Sequence, residues 1–326
     1  MQKVNIGIIG GAGYTAGELL RVLLRHPNVA ITFVHSTSHA GELVSKVHTD
    51  LIGETTLKFE SQFNQQIDLL FLCVGHGDAK KFLASQNINT NTKIIDLSQD
   101  FRLNNEAIIG DRTFVYGLPE LQRDVIQKAN NIANPGCFAT AIQLGLLPLA
   151  ANNSLTDIYT TGITGSTGAG QGLSATSHFS WRANNIQAYK TLQHQHLNEI
   201  GQSLSQLQGN AAAQVHFVPW RGDFTRGIFV TSVIHTDLTL DALYALYENY
   251  YEAHVFTIVS RNNIDLKQVV NTNKCLIHLE KQGNKVAIHS AIDNLLKGAV
   301  GQAVQNMNLL FGLEETTGLQ LKATYF

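Results

Sequence analysis

The run Lys3-Val4-Asn5-Ile6-Gly7-Ile8-Ile9 is apolar and β-branched, and it breaks into Gly10-Gly11-Ala12-Gly13-Tyr14-Thr15-Ala16-Gly17 before the helix-compatible Glu18-Leu19-Leu20-Arg21-Val22-Leu23-Leu24. A strand with no polar alternation is buried on both faces, as in parallel sheets covered by helices. A strand, a glycine turn and a helix start, in that order, also bring backbone N–H groups onto a pyrophosphate, because glycine allows close approach and positive φ. Tight turns without a ligand use glycine too, so the reading rests on the strand-to-helix context. Gly10, Gly11, Ala12, Gly13, Tyr14 and Thr15 are therefore assigned to a dinucleotide.

A second strand, Ala30-Ile31-Thr32-Phe33-Val34, leads into His35-Ser36-Thr37-Ser38-His39, where an NAD site usually carries an acidic residue for the ribose 2′-hydroxyl. None is present there, and hydroxyl donors with nearby histidines suit a 2′-phosphate. NADP is thus expected over NAD, with Ser36 and Ser38 in contact; the plainer alternative is a solvated polar loop. Two further strands, Asp68 to Val74 and Lys93 to Leu97, end in Gly75-His76-Gly77 and Ser98-Gln99-Asp100-Phe101-Arg102. Both loops belong at the carboxyl edge of a parallel sheet, where ligands bind. His76 either touches the cofactor or caps the next helix, and Cys73 reads as core.

A length of 326 residues suggests two domains, and 15% charged residues with a net charge of −2 exclude a nucleic-acid surface. Cys73, Cys137 and Cys275 lie too far apart for a disulfide framework or a C-x-x-C zinc site, and read as reduced thiols. No charged leader with an apolar core opens the chain, and no apolar run approaches about 20 residues. A cytoplasmic protein without membrane, nucleic-acid or metal partners is expected.

Asn134-Pro135-Gly136-Cys137 stands directly ahead of a predicted helix opening Phe138-Ala139-Thr140. A helix start favours a thiolate, which makes Cys137 a candidate nucleophile able to hold an acyl group; a buried structural cysteine fits the local sequence equally. Beyond about residue 150 the pattern turns β-rich. Thr164 to Gly172 is a glycine- and hydroxyl-rich stretch that could wrap an anion or act as a linker, and we lean to a site loop. The segments Gly227 to Ile234, Cys275 to Glu280 and Lys285 to Ser290 suit an antiparallel sheet building a substrate pocket and a subunit interface. His194-Gln195-His196 offers two imidazoles, on opposite sides if the segment is extended: one an acid/base, the other a carboxylate or structural contact. A metal site is the rival, without a third ligand at convincing spacing. Arg226 can bind a carboxylate or phosphate bidentately.

Taken together, Gly10 to Thr15, Asp96 to Arg102, Tyr116-Gly117-Leu118-Pro119-Glu120, Ala133 to Cys137, Gly165 to Gly170, His194 to His196, Ala291-Ile292-Asp293-Asn294-Leu295-Leu296-Lys297-Gly298 and Gly301 to Asn308 resemble the N-acetyl-γ-glutamyl-phosphate reductase family of arginine biosynthesis. The match runs in order along nearly the whole chain. It implies an α/β fold like that of aspartate-semialdehyde dehydrogenase: a Rossmann NADP-binding domain (1–136 with 296–326) and an inserted α+β catalytic and dimerisation domain (137–295). It carries the nucleophile onto Cys137 and the acid/base onto the His194/His196 pair, His194 preferred, and places Asn294 near the nicotinamide. Gly168 is assigned to the cofactor, and Arg102, Asn134, Ser166, Tyr189 and Arg226 to the substrate. Thr37, Gly75 and Arg221-Gly222-Asp223 depart from the common family pattern, the last bearing on the acyl pocket.

The reaction implied is attack of the Cys137 thiolate on an N-acyl-γ-glutamyl phosphate, loss of inorganic phosphate, and reduction of the thioester by NADPH to the semialdehyde, with protonated His194 assisting. A homodimer or homotetramer is expected. The rivals are an aspartate-semialdehyde dehydrogenase and a non-catalytic NADP-binding sensor.

Overall fold

The computed structural model describes residues 3–209 and 213–325. The chain divides into two compact units, one formed by residues up to Pro135 with Ala299–Gln320, the other by Gly136–Gly298 with residues from Leu321 onward. The C-terminal stretch 296–326, which the sequence reading gives whole to the nucleotide domain, is thus divided between them.

The first unit holds β1 (Val4–Ile9), α1 (Tyr14–Leu23), β2 (Val29–His35), β3 (Phe59–Glu60), β4 (Leu69–Leu72), α2 (Asp78–Ser85), β5 (Lys93–Asp96), β6 (Ile108–Ile109), β7 (Arg112–Tyr116), α3 (Pro119–Gln127) and β8 (Asn131–Ala133). The second holds α4 (Cys137–Ala151), β9 (Ile158–Thr164), α5 (Phe179–Arg182), β10 (Gln187–Ala188), α6 (His196–Gln208), β11 (Val215–Arg221), β12 (Ile228–His235), α7 (Leu240–Tyr251), β13 (Thr257–Ser260), β14 (Cys275–Gln282) and β15 (Lys285–Ile292). A π-helical turn, Leu296–Val300, then leads into α8 (Gly301–Leu310), which belongs to the first unit.

In the first unit the strands form one eight-stranded sheet in the order β3-β2-β1-β4-β5-β8-β7-β6. Its neighbours are parallel except for the β6–β7 pair. The order reverses at β1, which lies between β2 and β4, so the loops after β1 and β4 diverge at a switch point of the kind that receives ligands. All four residues of β4 are buried, and Ile9, Phe33, Leu70, Leu72, Ile94, Phe114 and Ala133 form one core cluster. Each large side chain buried there is worth about 1.5–3 kcal/mol.

The second unit is built on a seven-stranded sheet in the order β10-β11-β9-β12-β15-β14-β13. The predicted strands appear as β12, β14 and β15, and they do pair antiparallel, but β9–β11 and β13–β14 are parallel, so the sheet is mixed. β12 alternates, burying Ile228, Val230, Ser232 and Ile234, the period-two pattern of a strand with one covered face. The covering helix is α4, apolar around its whole circumference and buried from Phe138 to Ala150. Tyr247 of α7 donates to Gly145 O at 2.6 Å, and a Cβ at Gly145 would touch Ile288 of β15 at 3.4 Å. Held along its length, α4 fixes the position of its first residue, Cys137.

Candidate active site

The loop after β1 has the form of an anion cradle. Gly10 has φ +80°, and a Cβ there would lie 2.4 Å from Cys73 O; one at Gly11 would lie 2.4 Å from Val34 Cγ1. Gly13 caps α1 without a side-chain bond, no acidic residue stands in the first turn, and around its missing Cβ only Gly10 O comes within 4 Å. Helix starts leave backbone N–H groups without intrahelical partners, and this one presents them beside open space, so the residues present fit a dinucleotide pyrophosphate. The turn is held from below by His48, whose Nε2 bonds Gly11 O at 2.7 Å while a Cβ at Gly17 would lie 2.5 Å from its Nδ1.

After β2, Ser36 is buried and its Oγ lies 3.3 Å from that of exposed Ser38. Two carboxylates not evident in the linear reading belong to this region: Glu42, 3.3 Å from His39 Nδ1, and Glu60, in register with His35. His76 is exposed and accepts from Gln99 N at 3.2 Å. It does not cap α2; Asp100 does, accepting from Gly77 N at 2.6 Å and Lys80 N at 3.1 Å. Cys73, expected as core, is a partly buried residue whose thiol is pushed up by burial and then by Asp96.

Cys137 opens α4 behind an extended Gly136 N-cap, and the first turn carries no acidic side chain. The positive end of the helix therefore meets the sulfur and favours a thiolate. Gly298 packs directly on this residue: a Cβ at 298 would lie 2.8 Å from Cys137 Cβ and 3.2 Å from its Cα. That approach depends on the π-helical turn, in which Gly298 N donates five residues back to Asp293 O at 2.9 Å.

His194 is buried in an aromatic box, its ring edge-on to Phe138, Tyr189 and Phe217 at centroid distances of 5.8, 5.8 and 5.6 Å. Burial, reinforced by the Lys190 charge, pushes its pKa down to about 4. The ring is therefore neutral at rest rather than the imidazolium the sequence reading uses. His194 Nδ1 accepts the His196 N–H at 3.2 Å, which leaves the ring proton on Nε2. Nor is His194-Gln195-His196 extended: Gln195 is helical (φ −57°, ψ −27°), and the two rings meet with centroids 4.6 Å apart instead of facing opposite sides. His196 Nε2 lies 3.8 Å from one oxygen of Glu199, whose other oxygen accepts from Gly136 N at 3.0 Å. Glu199, one helical turn past His196, thus ties the second imidazole to the cap of α4. Its signal in sequence was only that i,i+3 spacing. Tyr189 completes the cluster, pushed up to about 12 by burial and then by Cys137, with Arg221 opposing.

Several residues assigned to ligands prove to be engaged by the chain itself. Arg226 does fork a carboxylate, but it is that of Asp293, with Nε–Oδ2 3.0 Å and Nη2–Oδ1 3.1 Å. Asp293 is fully buried and also accepts from the backbone N–H of Asn271, Leu295 and Leu296 at 2.7, 2.8 and 3.0 Å. Asn294, expected near the nicotinamide, accepts from Gly227 N (2.7 Å) and donates to Thr167 Oγ1 (3.0 Å). Asn134 donates to Ala299 O at 2.9 Å and accepts from Asn306 at 3.2 Å, and Arg102 donates from Nε to Asn134 O at 2.8 Å and from Nη2 to Leu97 O at 3.3 Å. Both residues clamp the exit of β8. Ser166 N and Thr167 N donate to Phe224 O and Thr225 O at 2.9 and 3.1 Å, so this half of the loop is docked, while Gly168 to Gly172 are exposed. Among the described residues no group of metal-ligating side chains converges.

Comparison with known proteins sets this geometry in a family. Residues 5–129 match the semialdehyde dehydrogenase NAD binding domain and 137–294 the semialdehyde dehydrogenase dimerisation domain. An N-acetyl-gamma-glutamyl-phosphate reductase of Bacteroides thetaiotaomicron is 57% identical over 325 residues, covering 99% of this chain and all of that one; its counterpart in Flavobacterium johnsoniae is 56% identical over 324 residues with the same coverage. In fold the chain is similar to aspartate semialdehyde dehydrogenase II from Vibrio cholerae, with a TM-score of 0.75 at 17% identity over 95% of this chain and 99% of that one. With relatives more than half identical along essentially their whole length, the chain belongs to the N-acetyl-gamma-glutamyl-phosphate reductase family of semialdehyde dehydrogenases.

Proposed function

We propose that this protein reduces an N-acyl-γ-glutamyl phosphate to the N-acylglutamate 5-semialdehyde, the reductive step of arginine biosynthesis, through a thioester on Cys137. The observation that carries the reading is a single thiol at the first position of a buried helix, closed over by Gly298 and set among Tyr189, His194 and the His196–Glu199 pair. Relatives at 54–57% identity carry the reductase name, whereas the aspartate-semialdehyde enzymes share the fold at 14–17% identity, so the shorter acyl phosphate is not favoured. A sensor that had lost its chemistry has no need of this arrangement.

The thiolate attacks the acyl carbon and phosphate leaves with the proton that the overall reaction consumes. His194 supplies a hydrogen bond from Nε2, first to the oxyanion of the tetrahedral intermediate and then to the departing oxygen. The nicotinamide cofactor, when bound, supplies the hydride that reduces the thioester carbonyl. Collapse of the resulting thiohemiacetal alkoxide breaks the C–S bond, releases the aldehyde and restores the Cys137 thiolate. Glu199 and His196 hold the Gly136 cap in place meanwhile. The glycine cradle from Gly10 to Gly13 would hold the pyrophosphate.

We infer NADP(H) as the preferred cofactor, supported by the hydroxyls of Ser36 and Ser38 after β2; Glu42 and Glu60 nearby make this a direct question for measurement. The dimerisation-domain match supports a homo-oligomer, a dimer or tetramer. Phosphate-dependent reduction of NADP by N-acylglutamate semialdehyde, measured against NAD, tests both readings. Cys137→Ala should lose turnover by several orders of magnitude while binding NADPH as the wild type does. Substantial residual activity in that variant would remove the thioester route.

A further inference from the structure

With Arg226 committed to Asp293, the cation that meets the substrate has to be sought elsewhere in the second unit. Arg221 ends β11, in register with Thr164 of β9 on one side and Gln187 of β10 on the other, between the docked loop that begins at Gly165 and the Tyr189 segment. Its guanidinium lies over the Tyr189 ring, 4.8 Å from the centroid, and hydrogen-bonds the Tyr189 side chain; the Cys137 charge acts on Tyr189, which is edge-on to His194. Arg221 Nε is buried with no hydrogen-bond partner among the described residues. Its nearest acidic neighbour in sequence, Asp223, turns Oδ2 to Asn184 N at 2.6 Å. A second guanidinium, Arg182, is close enough for Arg221 to lower its pKa further after burial has done so, with the Asp223 carboxylate partly opposing, and Arg182 itself donates to Thr176 O, Arg221 O and Gly222 O.

A guanidinium nitrogen buried without an acceptor, in a field made more positive by its neighbour, is unfavourable until an anion arrives. Planar forked N–H groups match the paired oxygens of a carboxylate or phosphoryl group. We propose that Arg221 binds an anionic group of the substrate beside Cys137, the role that sequence reading gives to Arg226. The inference rests on the reductase reading.

The reaction run in the phosphorylating direction separates the two anions, because the carboxylate-bearing semialdehyde and inorganic phosphate are then distinct substrates with distinct KM values. Arg221→Gln should raise one of these KM values about 10- to 100-fold, the loss expected for a charged hydrogen-bond pair, with the KM for NADP near the wild-type value. A rise for the semialdehyde identifies a carboxylate, and a rise for phosphate identifies the phosphoryl group. Running N-acetyl- and N-succinylglutamate semialdehyde side by side locates the carboxylate, since an effect confined to the succinyl compound places it on the acyl arm. Arg221→Lys, which keeps the charge but not the fork, should recover part of the loss. It carries the test if the glutamine variant does not fold. All KM values within about twofold of wild type in a folded variant would overturn the assignment. Wild-type protein inactive on every semialdehyde would instead refute the reaction itself.

Discussion

His194 should titrate far below an ordinary histidine, and the consequence can be measured in two ways. The side chain is 5% exposed, and burial with Lys190 nearby takes its pKa from 6.5 to about 4. At about 1.36 kcal/mol for each pH unit, that fall corresponds to about 3 kcal/mol. The unfolded chain takes up this proton near pH 6.5 and the folded protein only near 4, so the unfolded state binds more protons in between. Stability therefore rises with pH across that window; the penalty is absent above 6.5 and complete below 4. The assay is NMR titration of histidine-labelled protein, with the His194 resonance assigned by its loss in His194→Gln. Urea unfolding of both proteins from pH 4 to 7 gives the second measure, as wild type should lose about 3 kcal/mol more than the variant on acidification. Lys190→Met should move the inflection upward without restoring it to 6.5, because burial is the larger cause. An inflection near 6.5 in the wild type, or a stability difference flat with pH, would refute the reasoning and return His194 to service as a resting imidazolium.

Gly298→Ala would set a methyl 2.8 Å from Cys137 Cβ, so either the π-helical turn or the start of α4 must shift. A displacement near 1 Å at a nucleophile lowers kcat about 100-fold, and Cys137 alkylation should slow with it; unchanged kinetics would mean that the contact is slack. Asp293→Ala removes the carboxylate that Arg226 forks and that three backbone N–H groups share. Stranding the buried partners should destabilise the protein by about 3–5 kcal/mol, read from urea midpoints, with Asp293→Asn intermediate; a loss under about 1 kcal/mol would show that solvent replaces the carboxylate.

What could be read from the chain alone was whatever depends on near neighbours. Lys3 to Ile9 announces a two-face-buried strand because its pattern is local, and the glycines that follow announce the turn for the same reason. A helix start at about this point was legible from Asn134-Pro135-Gly136, although α4 opens at Cys137, one residue before the expected Phe138. The contacts that organise the thiol were not, since Glu199 reaches Gly136 across 63 residues and Arg226 reaches Asp293 across 67. The carboxylate that Arg226 forks in the structure is that of Asp293, and composition could not point to it, because a fork matches a substrate carboxylate and Asp293 equally well. The relative placement of the imidazole pair was open for a different reason: one residue's ψ decides whether His194 and His196 diverge or meet, and nothing in the identity of Gln195 fixes it. The loop from Thr164 to Gly172 could not be divided by composition into its docked and exposed halves, since Ser166 N and Thr167 N, groups any residue would offer, dock it alongside the Thr167 hydroxyl.

His48 and Gly17 constrain which substitutions the protein can accept, and in what order. Alanine at 17 would suit the interior of α1 better than glycine by about 1 kcal/mol, yet its methyl would fall 2.5 Å from the His48 ring. Exchanging His48 for a smaller residue clears that space and gives up the bond to Gly11 O, the support of the cofactor turn. A lineage that acquired the alanine first would carry a collision, and one that lost the histidine first would carry a looser turn. The glycine in this helix therefore persists through its partner, and the two positions can change only as a pair.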